Sequence, residues 1–501
     1  MIESLGPRLG SAEPLRVVIA GGGVTGLTAA YALHRERPDL AIDLFEARPE
    51  LGGNIRTERA DGFVIDAGPD SFIRTKPDAL ELCRELGLER ELVPTRPSAR
   101  RVFVAHQGRL EQMPGGMALA VPTRIAPLLE TPLLSTKGKA RMLAEPLVPR
   151  GSCTEDESIE AFFERRVGTE GTRRLAAPLL GGIYAGDIAE LSIRSTFPQL
   201  LELEQRHGSL LRGFLAAELA RTGSTSTPRI RQLEKWLRRG DDTSAPSPFL
   251  SLRGGMRRLI EALANTLPAS SIHCDAPVTG LTRLSNGAFR VDAGPRTVIA
   301  DAVIVATPAR VAASLVPDRD AARELSEIKY VSTATIFFGL DRRQVQHPLD
   351  GVGFIVPEGE ARILAATWVS SKWDDRAPDT GALVRAFVGG TRDSRRVESS
   401  SDDDLVALAK QELERFMGPL GNPRFTRVYR YTNGNPQPVV GHAARMARLK
   451  ERLAKLPRLH LVGASYEGVG IPDCVRQGRA AARAVARELV ELATPKGDPS
   501  A

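Results

Sequence analysis

R-V-V-I-A-G-G-G-V-T-G-L-T-A-A-Y-A-L at 16–33, followed by A-I-D-L-F-E-A-R-P-E-L-G-G at 41–53, is the stretch on which the fold turns. Residues 16–20 form a short β-branched run that ends in glycines, the pattern of a strand buried on both faces. Gly21, Gly23 and Gly26 then give G-x-G-x-x-G at the turn into a helix that Pro38 stops. Residues 41–45 read as a second strand with Glu46 at its end, twenty residues past Gly26. In such a unit the glycines serve a tight turn, close approach of backbone to a pyrophosphate, and helix–strand packing. The free amides and the positive end of the helix face the phosphates. Glu46 is placed to accept hydrogen bonds from a ribose diol. A dinucleotide site is expected; a glycine-rich turn in an unrelated α/β fold is the alternative.

Working outward, Gly52-Gly53 with a nearby arginine can wrap a second backbone turn around the same pyrophosphate. Nicotinamide enzymes do not need that second pair, so the cofactor expected is FAD. Asp61-Gly62 is a hairpin signal, and residues 63–66 read as a strand entering a glycine-rich loop. At the other end of the chain, residues 459–463 read as a last buried strand. The turn Gly468-Val469-Gly470 then feeds a final helix over 473–489, another helix start suited to an electronegative flavin edge.

The 501 residues are 42% hydrophobic and 26% charged, enough for a globular chain of two to four domains. A net charge of +7 suits nucleic acid, anionic lipid or an acidic small molecule. Only 5% of residues are aromatic and no zinc motif or arginine-rich tail occurs, which argues against nucleic acid. Cys83, Cys153, Cys274 and Cys474 are far apart, show no C-x-x-C and suit a reducing, cytoplasmic compartment, with all four read as buried small hydrophobes. Residues 1–14 lack an apolar run and read as a lead-in, not a signal peptide. No continuous apolar run of about 18 residues occurs, so no membrane span is expected.

Along the middle, 76–90 has helical spacing, and 100–104 is strand-like with a turn at Gln107-Gly108. Arg100 and Arg101 sit at the start of that strand, where arginines are usually solvated; a carboxylate clamp is the sharper alternative. Residues 117–148 alternate leucines with Arg124, Lys137, Lys139 and Arg141 and are broken by prolines. That composition suits short helices, either lying on an anionic membrane surface or packing inward. Thr154-x-x-Glu157 reads as a capping box ahead of a core stripe of Ile159, Phe162, Phe163 and Val167. Residues 222–248 read as a mobile linker. A glycine turn leads into a helix over 252–267, and 272–281 and 301–308 read as strands completing the first sheet. Strand-like runs dominate 328–431, as in a mostly antiparallel sheet roofing a pocket. No Ser/His/Asp grouping or metal spacing stands out, so no metal is expected.

Taken in order, these segments resemble the protoporphyrinogen oxidase family. The resemblance is carried by Gly21–Gly26 with Glu46 and Gly52-Gly53; G-P-D-S-F at 68–72; G-G-I-Y-A-G-D at 181–187; and L-S-I-R-S-T-F-P at 191–198 with L-E-x-x-x-G-S-L ending at Leu210. G-F-I-V-P at 353–357, D-R-A-P at 375–378, F-V-G-G at 387–390 and L-V-G-A-S-Y-E-G-V-G-I-P-D-C-V-R-Q-G at 461–478 complete it. The first and last are shared with a wider amine-oxidase-like group. G-I-Y-A-G-D and D-R-A-P are specific to the family.

The resemblance implies an α/β chain (α+β overall) with three regions. These are a discontinuous Rossmann-like FAD-binding domain (14–75, 250–307, 438–495), a mixed-sheet substrate domain (76–115, 308–437) and a small helical, membrane-binding subdomain (116–221), with a flexible linker at 222–249. It implies oxidation of protoporphyrinogen IX to protoporphyrin IX, with oxygen reoxidising the flavin and yielding hydrogen peroxide. The catalytic group is then the flavin itself, and no side chain is singled out. A porphyrinogen, oxygen, and peripherally the cytoplasmic face of a membrane are the implied partners, and a homodimer is the default oligomer. Arg101 looks like the family's propionate-binding arginine. The Gly182 backbone, Ile355 and Phe387 match positions lining the macrocycle, and Thr367 stands where relatives often carry leucine. The cofactor residues so expected are Gly21, Gly22, Gly23, Val24, Thr25, Gly26, Glu46, Ala47, Arg48, Gly53 and Asn54 near the first turn. Gly68, Pro69, Asp70, Ser71, Val278, Thr307, Gly463, Val469, Gly470 and Ile471 follow from later segments. The nearest rival is coproporphyrinogen III oxidation on the same scaffold, since that substrate has four propionates where protoporphyrinogen has two. An amine oxidase or carotenoid desaturase of the wider group, or a flavin-binding membrane partner without turnover, are more distant readings.

Overall fold

In the computed structural model the described residues are 14–152, 155–221 and 247–493. The lead-in, Cys153, Thr154 and most of the expected linker lie outside them.

The first sheet has five parallel strands in the order Ile272–His273, Ala41–Phe45, Arg16–Ala20, Ala302–Val305 and Leu459–Leu461. Alternation along its central strands accounts for the apolar runs. Val17, Ile19 and Ile304 enter one core with Leu27, Leu33, Val485 and Leu489 of the helices Val24–Glu36 and Ile471–Ala493. Val18, Val303 and Val305 enter another with Phe289, Val291 and Leu315 on the opposite face. Both faces are therefore covered, as a parallel sheet requires. The strand expected over 272–281 is split. Only Ile272–His273 joins this sheet; after Asp275 (φ +52°) and Pro277, Val278–Arg283 pairs instead in a separate three-stranded antiparallel sheet.

The second sheet has seven strands in the order Phe425–Gln437, Lys329–Asp341, Gly381–Gly389, Ala365–Trp368, Gly353–Ile355, Val102–His106 and Arg109–Gln112. All pairs are antiparallel except Gly353–Ile355 with Val102–His106. One face carries Ile336, Phe338, Trp368, Val384 and Ala386 onto the helix Asp402–Met417 through Leu405, Leu408 and Leu413. The other face, one residue out of phase, turns Thr335, Phe337, Arg385 and Phe387 toward the first half of the molecule. Two hairpins close as their turn residues demand, at Asp61-Gly62 (φ +49° and +80°) and Gln107-Gly108 (φ +50° and +77°).

The third part is helical and includes Ile125–Glu130, Thr136–Leu143, Ile159–Gly171, Pro198–His207 and Leu210–Arg221. Ser158 caps Ile159–Gly171, its Oγ accepting from Ala161 N at 3.1 Å; Thr154 of the expected capping box lies outside the described residues. In the leucine-rich stretch, Leu128, Leu133, Leu134 and Met142 pack inward, while Leu129 and Leu147 are exposed. Among the described residues no helix is long and apolar enough to cross a membrane. The helix expected over 76–90 spans Pro77–Glu85 and yields to a 3₁₀ turn at Glu89–Glu91. Cys83 and Cys474 are buried, but Cys274 is only half-buried, against expectation.

A buried charge cluster pins the helices. Arg166, fully buried, bonds Glu145 through Nε at 2.7 Å and Glu204 through Nη1 at 3.2 Å. Glu145 also accepts from Ser209 Oγ and from Leu210 N at 2.9 Å, so it covers the start of the helix Leu210–Arg221. Removing one member of a buried pair strands the other. Arg166→Met is expected to destabilise the helical part by about 3–5 kcal/mol, seen as an earlier unfolding phase in urea.

Candidate active site

A cavity of about 420 Å³ opens at the C-terminal ends of the parallel strands, where ligands sit in open α/β sheets. The glycines shape it by what they omit. Gly21 has φ +110°, and a Cβ there would lie 2.8 Å from Ala306 O. A Cβ at Gly26 would lie 1.9 Å from Gly21 O, so only glycine lets the helix start press onto the turn. Gly53 stands against Gly23, its Cβ position 3.3 Å from Gly23 Cα, which brings the two glycine turns together. Glu46 is nearly buried and fixed from two sides: Gly22 N donates to Oε2 at 2.7 Å and Arg48 N to Oε1 at 3.0 Å. Arg48 Nη1 in turn donates to Gly53 O at 3.1 Å.

Of the expected cofactor residues, Gly21, Gly23, Val24, Thr25, Glu46, Ala47, Arg48, Gly53, Asn54, Pro69, Val278, Thr307, Gly463, Val469 and Ile471 line this cavity. Gly22, Gly26, Gly68, Asp70, Ser71 and Gly470 are not in its lining. Gly22 backs onto Glu46, Gly26 is the packing glycine just described, and Gly68 is pressed on Asn54 O, 1.9 Å from its Cβ position. Gly470 leans on the carboxylate of Asp473, its Cβ position 3.0 Å from Oδ2. Asp70 is turned away onto the second sheet's side: Lys372 Nζ donates to Oδ2 at 2.8 Å and Trp373 Nε1 at 2.9 Å, while Ser71 Oγ donates to Oδ1 at 2.8 Å. Burial alone would raise the Asp70 pKa, but the charges of Lys372 and Arg385 and these hydrogen bonds hold it well below the usual carboxylate range.

Several wall residues carry no local signal in the sequence. Tyr330 shares a hydrogen bond with Ser465 Oγ at 2.7 Å and accepts from Ala309 N at 2.8 Å. Gly434 and Pro436 arrive on the long strand from the other sheet. Ala306, Pro308, Ala464 and Ser465 could have been found by extending each parallel strand past its C-terminal end. Two features fit a bound dinucleotide: Thr307 Oγ1 is buried without a partner, and a Cβ at Gly463 would enter open space.

The expected macrocycle wall also gathers. Ile355 pairs with Ala365 and Ala365 with Phe387, while Thr367 pairs with Gly353 and Arg385, so Ile355, Thr367 and Phe387 share one face of the second sheet. Beneath Phe387 lies Arg385, a buried guanidinium 4.3 Å from that ring's centroid and 5.2 Å from that of Phe337. Its Nη2 donates to Ala67 O at 2.9 Å. Ile355 and Val469 both pack on the helical core, which joins this wall to the dinucleotide cavity. A Cβ at Gly182 would meet nothing within 4 Å, and Ile183 beside it is 51% exposed. Gln437 Nε2, donating to Tyr184 O at 2.9 Å, and Thr391 N, donating to Ala185 O at 2.9 Å, hold that loop. Arg101 is exposed and already paired, with Nη1 3.0 Å from Asp350 Oδ2; no contact of the described residues brings it to Phe387 or Gly182. In D-R-A-P, Arg376 is buried under the first hairpin, donating to Ser251 Oγ at 2.9 Å and Leu252 O at 3.0 Å, so that motif is structural here.

A dinucleotide cavity on a parallel sheet, roofed by a second sheet and flanked by helices, defines a two-part flavoprotein oxidoreductase. Residues 24–486 match the family described as flavin containing amine oxidoreductase, and the chain belongs to it; FAD is its cofactor. The chain is 37% identical over 472 residues to a protein of Bacillus subtilis (strain 168) named coproporphyrinogen III oxidase, covering 93% of this chain and 96% of that one. It is 33% identical over 494 residues to protoporphyrinogen oxidase of Homo sapiens, covering 94% and 98%. A crystal structure of an Exiguobacterium sp. 255-15 protein, provisionally named protoporphyrinogen oxidase, superposes with a TM-score of 0.81 at 32% identity over 96% of this chain and 99% of that one. The chain is thus a flavin oxidoreductase of the porphyrinogen oxidase type.

Two outcomes test the site. Gly26→Ala is expected to weaken FAD binding roughly five- to 150-fold, taking the clash with backbone as about 1–3 kcal/mol; flavin absorbance per protein after dialysis reads it. Asp70→Asn is expected to lower the urea midpoint at neutral pH. Because the folded pKa of Asp70 is depressed, its stabilisation is full above the unfolded value of about 3.9 and is lost as pH falls below it. The difference between wild type and variant therefore narrows on acidification below about pH 4.

Proposed function

We propose that the chain oxidises coproporphyrinogen III to coproporphyrin III, with oxygen as the electron acceptor and hydrogen peroxide as the second product. The sequence motifs put protoporphyrinogen IX first. The order is reversed because the relatives named coproporphyrinogen III oxidase match at 37%, 32% and 32% identity over almost the whole chain. That agreement is the observation that carries the proposal. Protoporphyrinogen IX oxidation remains the second reading, favoured by relatives of that name at 33% identity.

When bound in this cavity, FAD would supply the hydride acceptor and the route for electrons to oxygen. The chain's part is placement. Gly23 and the uncapped start of the helix Val24–Glu36 would hold the pyrophosphate, and Glu46 the ribose. Ile355, Phe387 and Thr367 give the macrocycle a flat wall stiffened from behind by Arg385. Gly182, without a side chain, leaves the opposing space clear.

Steady-state oxidation of both porphyrinogens tests the reading. The expected outcome is kcat/KM at least about tenfold higher for coproporphyrinogen III, a difference of about 1.4 kcal/mol in transition-state binding. A higher value for protoporphyrinogen IX would restore the second reading. Flavin that stays oxidised with both under anaerobic conditions would sink each of them.

A further inference from the structure

Beside the macrocycle wall lies a second cavity of about 420 Å³, none of whose lining residues also lines the dinucleotide site. Three of its segments lead directly from the slot. Asp187 closes the G-G-I-Y-A-G-D loop, Thr391 and Arg392 follow Phe387 by a few residues, and Glu358 follows Ile355. Arg173, on the wide helical stretch Thr172–Gly181, and Glu160 complete its polar lining. Arg392 Nη2 donates to Val356 O at 2.8 Å, next to Ile355.

Both arginines are exposed to solvent. Among the described residues neither forms an ion pair, although three carboxylates line the same space. Asp187 Oδ1 instead accepts from Ala189 N at 2.9 Å. A guanidinium offers five N–H donors in a fork that matches a carboxylate, and Arg392 has only its bond to Val356 O placed. Three carboxylates against two guanidiniums leave the lining net negative, so an acid gains here only through direct hydrogen bonds from both forks and not from the field.

We propose that Arg173 and Arg392 together bind a propionate of the substrate at a position where coproporphyrinogen carries an acid and protoporphyrinogen does not. The proposal rests on the porphyrinogen reading and names the specificity residues for it. A propionate reaching from the slot past Phe387 replaces water on both guanidiniums, and the vinyl group of protoporphyrinogen gains nothing there. The pair thus sets the choice between the two substrates while Phe387 and Ile355 hold the ring common to both.

The experiment compares wild type, Arg173→Met, Arg392→Met and Arg392→Lys with both porphyrinogens, and titrates each protein with the fluorescent products. Either methionine variant is expected to raise KM for coproporphyrinogen III roughly ten- to a hundredfold, the loss of a charged hydrogen bond. kcat for that substrate should change less, and KM for protoporphyrinogen IX less than about twofold. Coproporphyrin III should dissociate more easily in parallel and protoporphyrin IX should not, and Arg392→Lys should recover part of the loss. Equal shifts for both substrates, or no shift for either, would overturn the proposal while leaving the enzyme's reading intact. Wild-type protein that oxidises neither porphyrinogen would overturn both.

Discussion

The whole arrangement depends on one contact without side chains. The start of the helix Val24–Glu36 lies against the turn of the strand Arg16–Ala20 so closely that the Cβ position of residue 26 falls 1.9 Å from Gly21 O. That approach brings the uncapped amides of the helix over the sheet's edge and leaves Gly23 facing Gly53. Glu46, fixed by Gly22 N and Arg48 N, can then stand at the far side of the same cavity. Neither hydrophobic burial nor hydrogen bonding selects for glycine here; exclusion of a single methyl group does.

The second sheet is built to meet that site with a polar back. Its apolar face is buried on Asp402–Met417, and its opposite face carries Thr335 and Arg385, both donating to Ala67 O, at 3.0 and 2.9 Å. Burying a guanidinium is costly, and Arg385 is offset by Ala67 O, the nearby Asp70 and two aromatic rings. In return Phe387 has a rigid support, and the loop that leads to Pro69 in the wall of the dinucleotide cavity is tied to the second sheet.

What could be read from the sequence was whatever is local. The glycine turn, the acid after the second strand, and the Asp61-Gly62 and Gln107-Gly108 hairpins are each specified within a few residues, and each formed. Strand ends that follow the sheet's C-terminal edge were legible for Thr307 and Gly463 for the same reason. What was not legible depends on distance. Asp70 sits in a glycine-proline loop that looks like a cofactor loop, but the residues that claim its carboxylate, Lys372 and Trp373, lie 302 and 303 positions away. The apolar run at 272–281 looked like one strand, because a positive φ at Asp275 has no pattern of its own. Gly434 and Tyr330 reach the cavity through pairings between remote strands, and Arg166 meets Glu145 and Glu204 only after three helices have packed.

Ala67 also bears on whether the two sheets can part. Its carbonyl takes two bonds from the second sheet, Asp70 is gripped by Lys372 and Trp373, and Glu58 by Arg427 at 2.7 Å and by Tyr429. Swinging the two halves apart like a jaw would break these latches together, several of them out of reach of water. The helical flank has no such latch at Gly182 and Ile183, where backbone borders open space. With the two sheets locked together, the open side of this wall is the helical flank, beside a residue that has no side chain.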